Sequence, residues 1–395
     1  MKKTTQARHA LSDARLSPLL ALLLVTVPAC NMDPTGSRQE DGPAAAAVSD
    51  AATDPMAAHD LDRGKALPPA LADDRPRPVM QMQVVLDRLG FTPGVVDGKE
   101  GLSTRNALMG FQEANALEVT GTLDEATRQA LSPWANIPAT RVVTIAEGFA
   151  RGPFGPLPDD PARQAKLPAM SYETLDEKLA ERFHTTTETL AALNPQLIGS
   201  TPAPSPSPKA SDAPAPRFRA GQKIRVPNVG GDRIEAARVK DPKWRATLTM
   251  LGVGSQQPRA DRIVVSKSKG TLKVYDAADK LVGMFTATMG SSRDPLPLGE
   301  WKVLGTSYNP PFHYNPELFW DVSDSDAKHL LPPGPNGPVG VAWIDLSKEH
   351  YGIHGTPEPQ TIGRAQSHGC VRLTNWDVAR LAQMVSSGTR VLFEA

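Results

Sequence analysis

The chain has 395 residues, 43 of them basic and 43 acidic, and a formal net charge of zero. That length exceeds one ordinary domain and implies two or three cores joined by linkers. The balanced charge lacks the basic excess that nucleic acid or an anionic membrane surface demands, so function is to be sought in a site and not on a charged face.

Lys2, Lys3, Arg8 and Arg15 precede an apolar run from Leu16 to Val27, the pattern of an export signal. The run is too short to span a bilayer comfortably as a mature helix. It ends in Val27-Pro28-Ala29-Cys30, which resembles the lipobox of bacterial lipoproteins; an ordinary signal peptide cut near Ala29 is the alternative. Residues 1–30 are therefore read as a signal peptide, Cys30 as a lipidation site, and the protein as exported to the periplasm or cell envelope on a lipid anchor. Cys30 and Cys370 are the two cysteines; if Cys30 is lipidated, Cys370 is an unpaired thiol in an oxidising compartment, which suggests reactivity. Residues 31–78, rich in Ala, Asp, Pro and Gly, bury too little to order themselves and read as a tether.

Residues 79–133 show three short helical patterns. Met80, Val84, Val85 and Leu89 share a face in the first, and Ala107, Leu108 and Phe111 in the second. Thr122 to Glu125 reads as a capping box for the third. Gln83, Leu86-Asp87-Arg88-Leu89-Gly90-Phe91, Val96-Asp97-Gly98, Thr104-Arg105, Phe111-Gln112 and Thr120-Gly121-Thr122-Leu123-Asp124 follow in the order of the type 1 peptidoglycan-binding domain, which this segment resembles. The resemblance implies a small all-α binding domain.

Residues 140–228 read as strand, helix, helix, strand, with Thr174 and Glu177 capping the first helix and Thr185 to Glu188 the second. Leu193-Asn194-Pro195 and Gly221-Gln222 with Val226-Pro227 make this an α+β region that resembles a LysM module interrupted by a Pro-rich insert, Pro202 to Pro216. Glycan binding and a spacer role both stay open for it.

From Arg262 the pattern turns to β: Ile263–Val265, Leu272–Tyr275, Met284–Met289, Trp301–Leu304, Gly340–Ile344 and Arg390–Phe393 are β-branched or aromatic runs broken by Gly, Pro and Asp. One helix is expected near the end, with Asn375 as N-cap and Val378, Leu381, Ala382 and Val385 on one face. The Pro-rich loops Tyr308–Pro316 and Leu331–Pro338 are expected around the mouth of a mainly β domain, residues 259–395. The chain is thus multidomain.

Within that domain stand Tyr351-Gly352-Ile353-His354-Gly355-Thr356 and Ser367-His368-Gly369-Cys370-Val371-Arg372. A thiol needs a neighbouring imidazole to accept its proton, and Gly369 lets backbone N–H groups approach a carbonyl. Two His and one Cys fall short of a four-ligand zinc site, with no second close pair, so no metal is expected. Spacing does not choose between His354 and His368 as base, since both can reach a thiol.

His-Gly-Thr followed by Ser-His-Gly-Cys-Val-Arg resembles the signature of YkuD-type L,D-transpeptidases, and Pro297 to Trp301 resembles that family's strand-entering turn. The resemblance implies Cys370 as nucleophile and His354 as base, oriented by a carbonyl near Gly355. It also implies His368 and Gly369 in the oxyanion region, and Arg372, Ser367, Gly355 and Thr356 at the substrate. It implies 3→3 cross-linking of peptidoglycan stem peptides through a thioester, with no cofactor. Water as acceptor (an L,D-carboxypeptidase), stem transfer to another amine, and a non-catalytic wall-binding lipoprotein are the alternatives. A chain beginning near Arg259 is expected to keep the chemistry while losing retention on the glycan polymer.

Overall fold

The structure is a computed structural model and describes residues 75–198, 217–230, 234–318, 327–364 and 369–395. The expectations for residues 1–30, for Cys30, for most of the tether, for the Pro-rich insert and for Ser367 and His368 lie outside the described residues.

The first module holds α1 (Pro78–Arg88), β1 (Phe91–Thr92), α2 (Leu102–Ala114) and α3 (Glu125–Leu131). Pro78 at the first turn of α1 suits its missing N–H. The cap of α3 is Asp124, which accepts from the Thr127 N–H at 2.8 Å, in place of the Thr122 box. Helix α1 is buried on two sides, not one. Met80 and Val84 join the core of the middle module, while Met82 and Leu86 join Leu281 and Met284 of the β domain.

The middle module runs β2 (Thr140–Thr144), α4 (Pro161–Gln164), α5 (Leu175–Arg182), α6 (Thr187–Leu193), α7 (Pro195–Ile198) and β3 (Lys223–Pro227), with β2 and β3 antiparallel. Thr174 caps α5, accepting from the Glu177 N–H at 3.1 Å, whereas α6 is capped by Thr186 and not by Thr185. The Asp176 carboxylate accepts from the Arg217 and Phe218 N–H groups at 3.0 and 3.2 Å and so anchors the chain ahead of β3.

The β domain begins earlier than the strand pattern announces. Helix α8 (Pro242–Leu251) precedes β4 (Arg262–Ser266), β5 (Thr271–Tyr275), β6 (Leu281–Thr286), β7 (Thr288–Met289) and β8 (Gly299–Tyr308). Then come β9 (Phe312–Tyr314), β10 (His329–Leu331), β11 (Ala342–Leu346), β12 (Gly352–His354), β13 (Val371–Arg372), α9 (Asn375–Met384) and β14 (Arg390–Glu394). Among the described residues ten strands form one sheet in the order β1-β6-β5-β4-β14-β8-β11-β12-β13-β7. Strand β1 comes from the first module and pairs in parallel with β6, Phe91 opposite Met284. The Pro-rich loops contain a ribbon, β9 with β10. The loop after β10 is held by the middle module: the Met170 N–H donates to the Pro333 carbonyl and the Asn336 N–H to the Met170 carbonyl, both at 3.0 Å.

Helix α9 is buried on every side, Trp376, Val378, Ala379 and Leu381 all being inaccessible, so its pattern is broader than one face. Its cap is Thr374, accepting from the Asp377 N–H at 3.1 Å; Asn375 is the first helical residue. The polar residues of α9 meet specific partners where the three modules join. Arg380 bonds the Asp87 carboxylate of α1 at 2.9 Å. His184 Nδ1 stands 3.2 Å from the same carboxylate, its Nε2 is 2.9 Å from the Leu251 carbonyl, and its ring stacks on Trp376 at 5.0 Å. Burial opposes ionisation of Asp87, but Arg380 and His184 outweigh it and hold the carboxyl down at about 2. Asp87→Ala would leave the Arg380 guanidinium buried without this carboxylate, a change that costs about 3–5 kcal/mol. Urea unfolding should show that loss; a variant within about 0.5 kcal/mol of wild type, the scale of a neutral surface change, would contradict it.

Candidate active site

Strands β12 and β13 lie side by side in parallel, Ile353 opposite Val371 and His354 opposite Arg372. Side chains alternate across a sheet. Ile353 and Val371, both inaccessible, point into the core. The opposite face therefore carries Gly352 and His354 from one strand, with Arg372 and, just before β13, Cys370 from the other. Two segments separated in sequence are brought together by the pairing of two short strands.

His354 is 5% exposed. Its Nδ1 is 2.7 Å from the Gly355 carbonyl, which can only accept, so Nδ1 carries the hydrogen and Nε2 is left as the acceptor. The Trp343 ring, opposite His354 on β11, stacks on the imidazole at 5.5 Å. Burial, then the charge of Arg372, depress His354 to about 4, against a smaller upward pull from its bond to Gly355. The imidazole is neutral at pH 7.

Cys370 is half-buried. Its thiol lies 3.8 Å from the His350 carbonyl, to which it donates, and a backbone hydrogen bond from Gly352 reaches its sulfur. Burial pushes the thiol up; the Gly352 N–H and the Arg372 charge pull it back in part. Burial thus favours the neutral form of both the thiol and the imidazole.

Glycines make room for this arrangement. Gly369 sits at φ +97°, and a Cβ there would come within 2.8 Å of the Tyr351 ring. A Cβ on Gly355 would stand 2.2 Å from Asn375 Oδ1, and one on Gly352 would stand 2.4 Å from the Trp343 ring. The Thr356 hydroxyl is turned to the Glu358 N–H at 3.2 Å and holds the loop that follows. His350 is exposed and contributes its carbonyl, not its ring.

Residues 260–392 match the family model described as "L,D-transpeptidase catalytic domain", and residues 75–131 match that described as "Putative peptidoglycan binding domain". The "Putative L,D-transpeptidase YkuD" of Bacillus licheniformis is 31% identical over 219 residues, which cover 55% of this chain and 92% of that protein. The chain belongs to the YkuD L,D-transpeptidase family. The protein of the same name from Bacillus subtilis is 58% identical over 57 residues, of which the match covers 35% of that protein's length. A solved L,D-transpeptidase from Mycobacterium smegmatis is 22% identical, over 34% of this chain and 59% of that one, with a TM-score of 0.29, too slight a likeness to carry an argument.

This L,D-transpeptidase thus joins a peptidoglycan-binding domain to a mainly β catalytic domain, and peptidoglycan is its substrate. Three residues that sequence reasoning passed over shape its site: Tyr351, Trp343 and Asn375. Tyr351 had a signal, since it directly precedes the paired motif. Trp343 and Asn375 had none, because their contacts depend on strand register and on a helix reached only through the fold. Among the described residues no helix is long and apolar enough to cross a membrane.

Proposed function

We propose that Cys370 is the acyl-carrying nucleophile and His354 its base, and that the product is a 3→3 cross-link. The observation that carries this is the shared sheet face of Cys370 and His354 together with the Gly355 carbonyl, which fixes Nδ1 as the protonated nitrogen. The Cys370 sulfur attacks the L,D-amide before the terminal D-Ala of a tetrapeptide stem while its proton passes to His354 Nε2. The tetrahedral oxyanion collapses, D-Ala leaves as an amine with that proton, and a thioester remains. The side-chain amine of a neighbouring stem attacks the thioester, gives its proton to His354, and the thiol is restored. His368 and Gly369 shape the oxyanion region, and Arg372, Ser367, Gly355 and Thr356 frame the substrate.

The middle module is read as a LysM-like region that serves as a glycan contact or a spacer, and export on a lipid anchored at Cys30 would set the enzyme against its polymer. Mass spectrometry of products from purified protein and tetrapeptide muropeptides tests the acceptor: 3→3 dimers are expected, and tripeptide monomers alone would make water the acceptor.

The electrostatics give a pH test. A base is lost when it is protonated, and His354 is held down at about 4, so acylation should stay level through pH 6 and fall with an acid limb near that value. Arg372→Gln removes a charge that helps keep His354 neutral, so the limb should move to higher pH. A kcat/KM profile with its limb near the ordinary imidazole value of about 6.5 in both proteins would contradict this role.

A further inference from the structure

A cleft of about 630 Å³ is walled by all three modules: the Pro93 to Thr104 segment of the binding domain, helix α6 of the middle module, and the catalytic loop from Pro359 to Arg364. We propose that this cleft binds the glycan strand bearing the donor stem and feeds that stem to Cys370; the proposal rests on Cys370 being the acylated residue.

The lining suits an amino-sugar polymer. Arg75, Arg77, Lys99 and Arg364 line it together with Asp97, Glu100 and Glu188, so both charge signs are present, as suits a ligand carrying carboxylates, amines and many neutral hydroxyls. Apolar surface from Leu102 lies among Ser103, Thr189 and Gln360, matching the apolar face and hydroxyl rim of a sugar ring. Leu102 is 52% exposed at the start of α2. The volume lies inside the range of about 300–1,000 Å³ that holds ligands of several hundred daltons.

The cleft also stands in the right place. The Gly363 N–H on its catalytic wall donates to Thr288 Oγ1 at 2.8 Å, and Thr288 is paired with Arg372 across β7 and β13. Opposed residues share a sheet face, and Arg372 shares that of Cys370, two positions away. From the wall to the nucleophile is roughly 10–15 Å by these spacings. The scissile bond of a stem follows its third residue, an extended reach of about 10 Å beyond the sugar.

The test uses the full chain. Ala192 on α6 and Gln360 on the catalytic loop are exposed cleft residues, and Ala192→Trp and Gln360→Trp should each fill it. Each should raise KM for disaccharide-tetrapeptide about tenfold or more with kcat retained, while kcat/KM for free tetrapeptide stays within about twofold. Independently, soluble glycan chains bearing tetrapeptides and a photoreactive sugar should label Ser103, Thr189 or Gln360 in the Cys370→Ala protein. Equal loss with both substrates in both variants, or labelling confined to other surfaces, would overturn the proposal. Failure of the Cys370 reading is distinct: wild type would then form no adduct with free tetrapeptide, while cleft labelling persisted.

Discussion

A chain beginning at Arg259 should be insoluble or molten and inactive even on soluble stem peptides. This reverses what the strand pattern suggests, because the catalytic core does not start with its first strand. Val239, Trp244, Leu248, Leu251 and Val253 belong to the same buried cluster as Ile263, Val265, Trp376 and Phe393. Removing five such side chains forfeits on the order of 10 kcal/mol of burial, comparable with the whole stability of a domain. The cut also strips β1 from β6 and leaves Leu281 and Met284 uncovered, along with the Lys273 and Tyr275 partners of Glu113. Circular dichroism melts and soluble-peptide assays on chains starting at Arg75 and Arg259 settle it. Cooperative melting and full soluble activity from the shorter chain would show that the modules fold independently.

Cys370→Ala and His354→Ala should each lower acylation at least about a thousandfold while leaving urea stability nearly unchanged for the first and modestly altered for the second. Cys370 is half-buried before a two-residue strand, so its loss removes a reacting atom and little packing. His354 is fully packed under Trp343, so its alanine variant opens a small cavity as well as deleting the base. His354→Gln fills more of that space, restoring stability but not rate. Stopped-flow acylation separates the two effects, and a His354→Gln protein acylating near the wild-type rate would remove His354 from the chemistry.

The helical character of the first module and the β character of the catalytic domain were legible because the two use different periodicities. Thr174 with Glu177 announced its helix correctly, since that cap is made by residues next to it in sequence. What could not be read was what one module does to another. Phe91 and Thr92 look like a loop after a helix and become a strand because β6 offers an edge. Asp87 looks like a surface carboxylate and is inaccessible because Arg380, far along the chain, faces it. Helix α8 carries its signals only at its ends, with Asp241 accepting from the Lys243 N–H at 2.8 Å, Pro242 in the first turn and Gly252 left-handed at the C-cap. At the site, the paired motif marked the residues proposed to react, and the carbonyl near Gly355 that the resemblance implies as orienter lies 2.7 Å from His354 Nδ1. A side chain at Gly355 would collide with the Asn375 amide, which donates at 2.8 Å to Glu181 of the middle module, so the residue that limits the space there is itself held from outside the catalytic domain.

The assignment of Cys370 as acyl carrier meets its most direct test in intact-protein mass spectrometry of the full chain, mixed with tetrapeptide stem and quenched in acid before the acceptor step. The expected result is a mass increase equal to the stem less its terminal D-Ala, mapped by peptide sequencing to Cys370 and absent from Cys370→Ala. An adduct on any other residue, or the same adduct in Cys370→Ala, would contradict it.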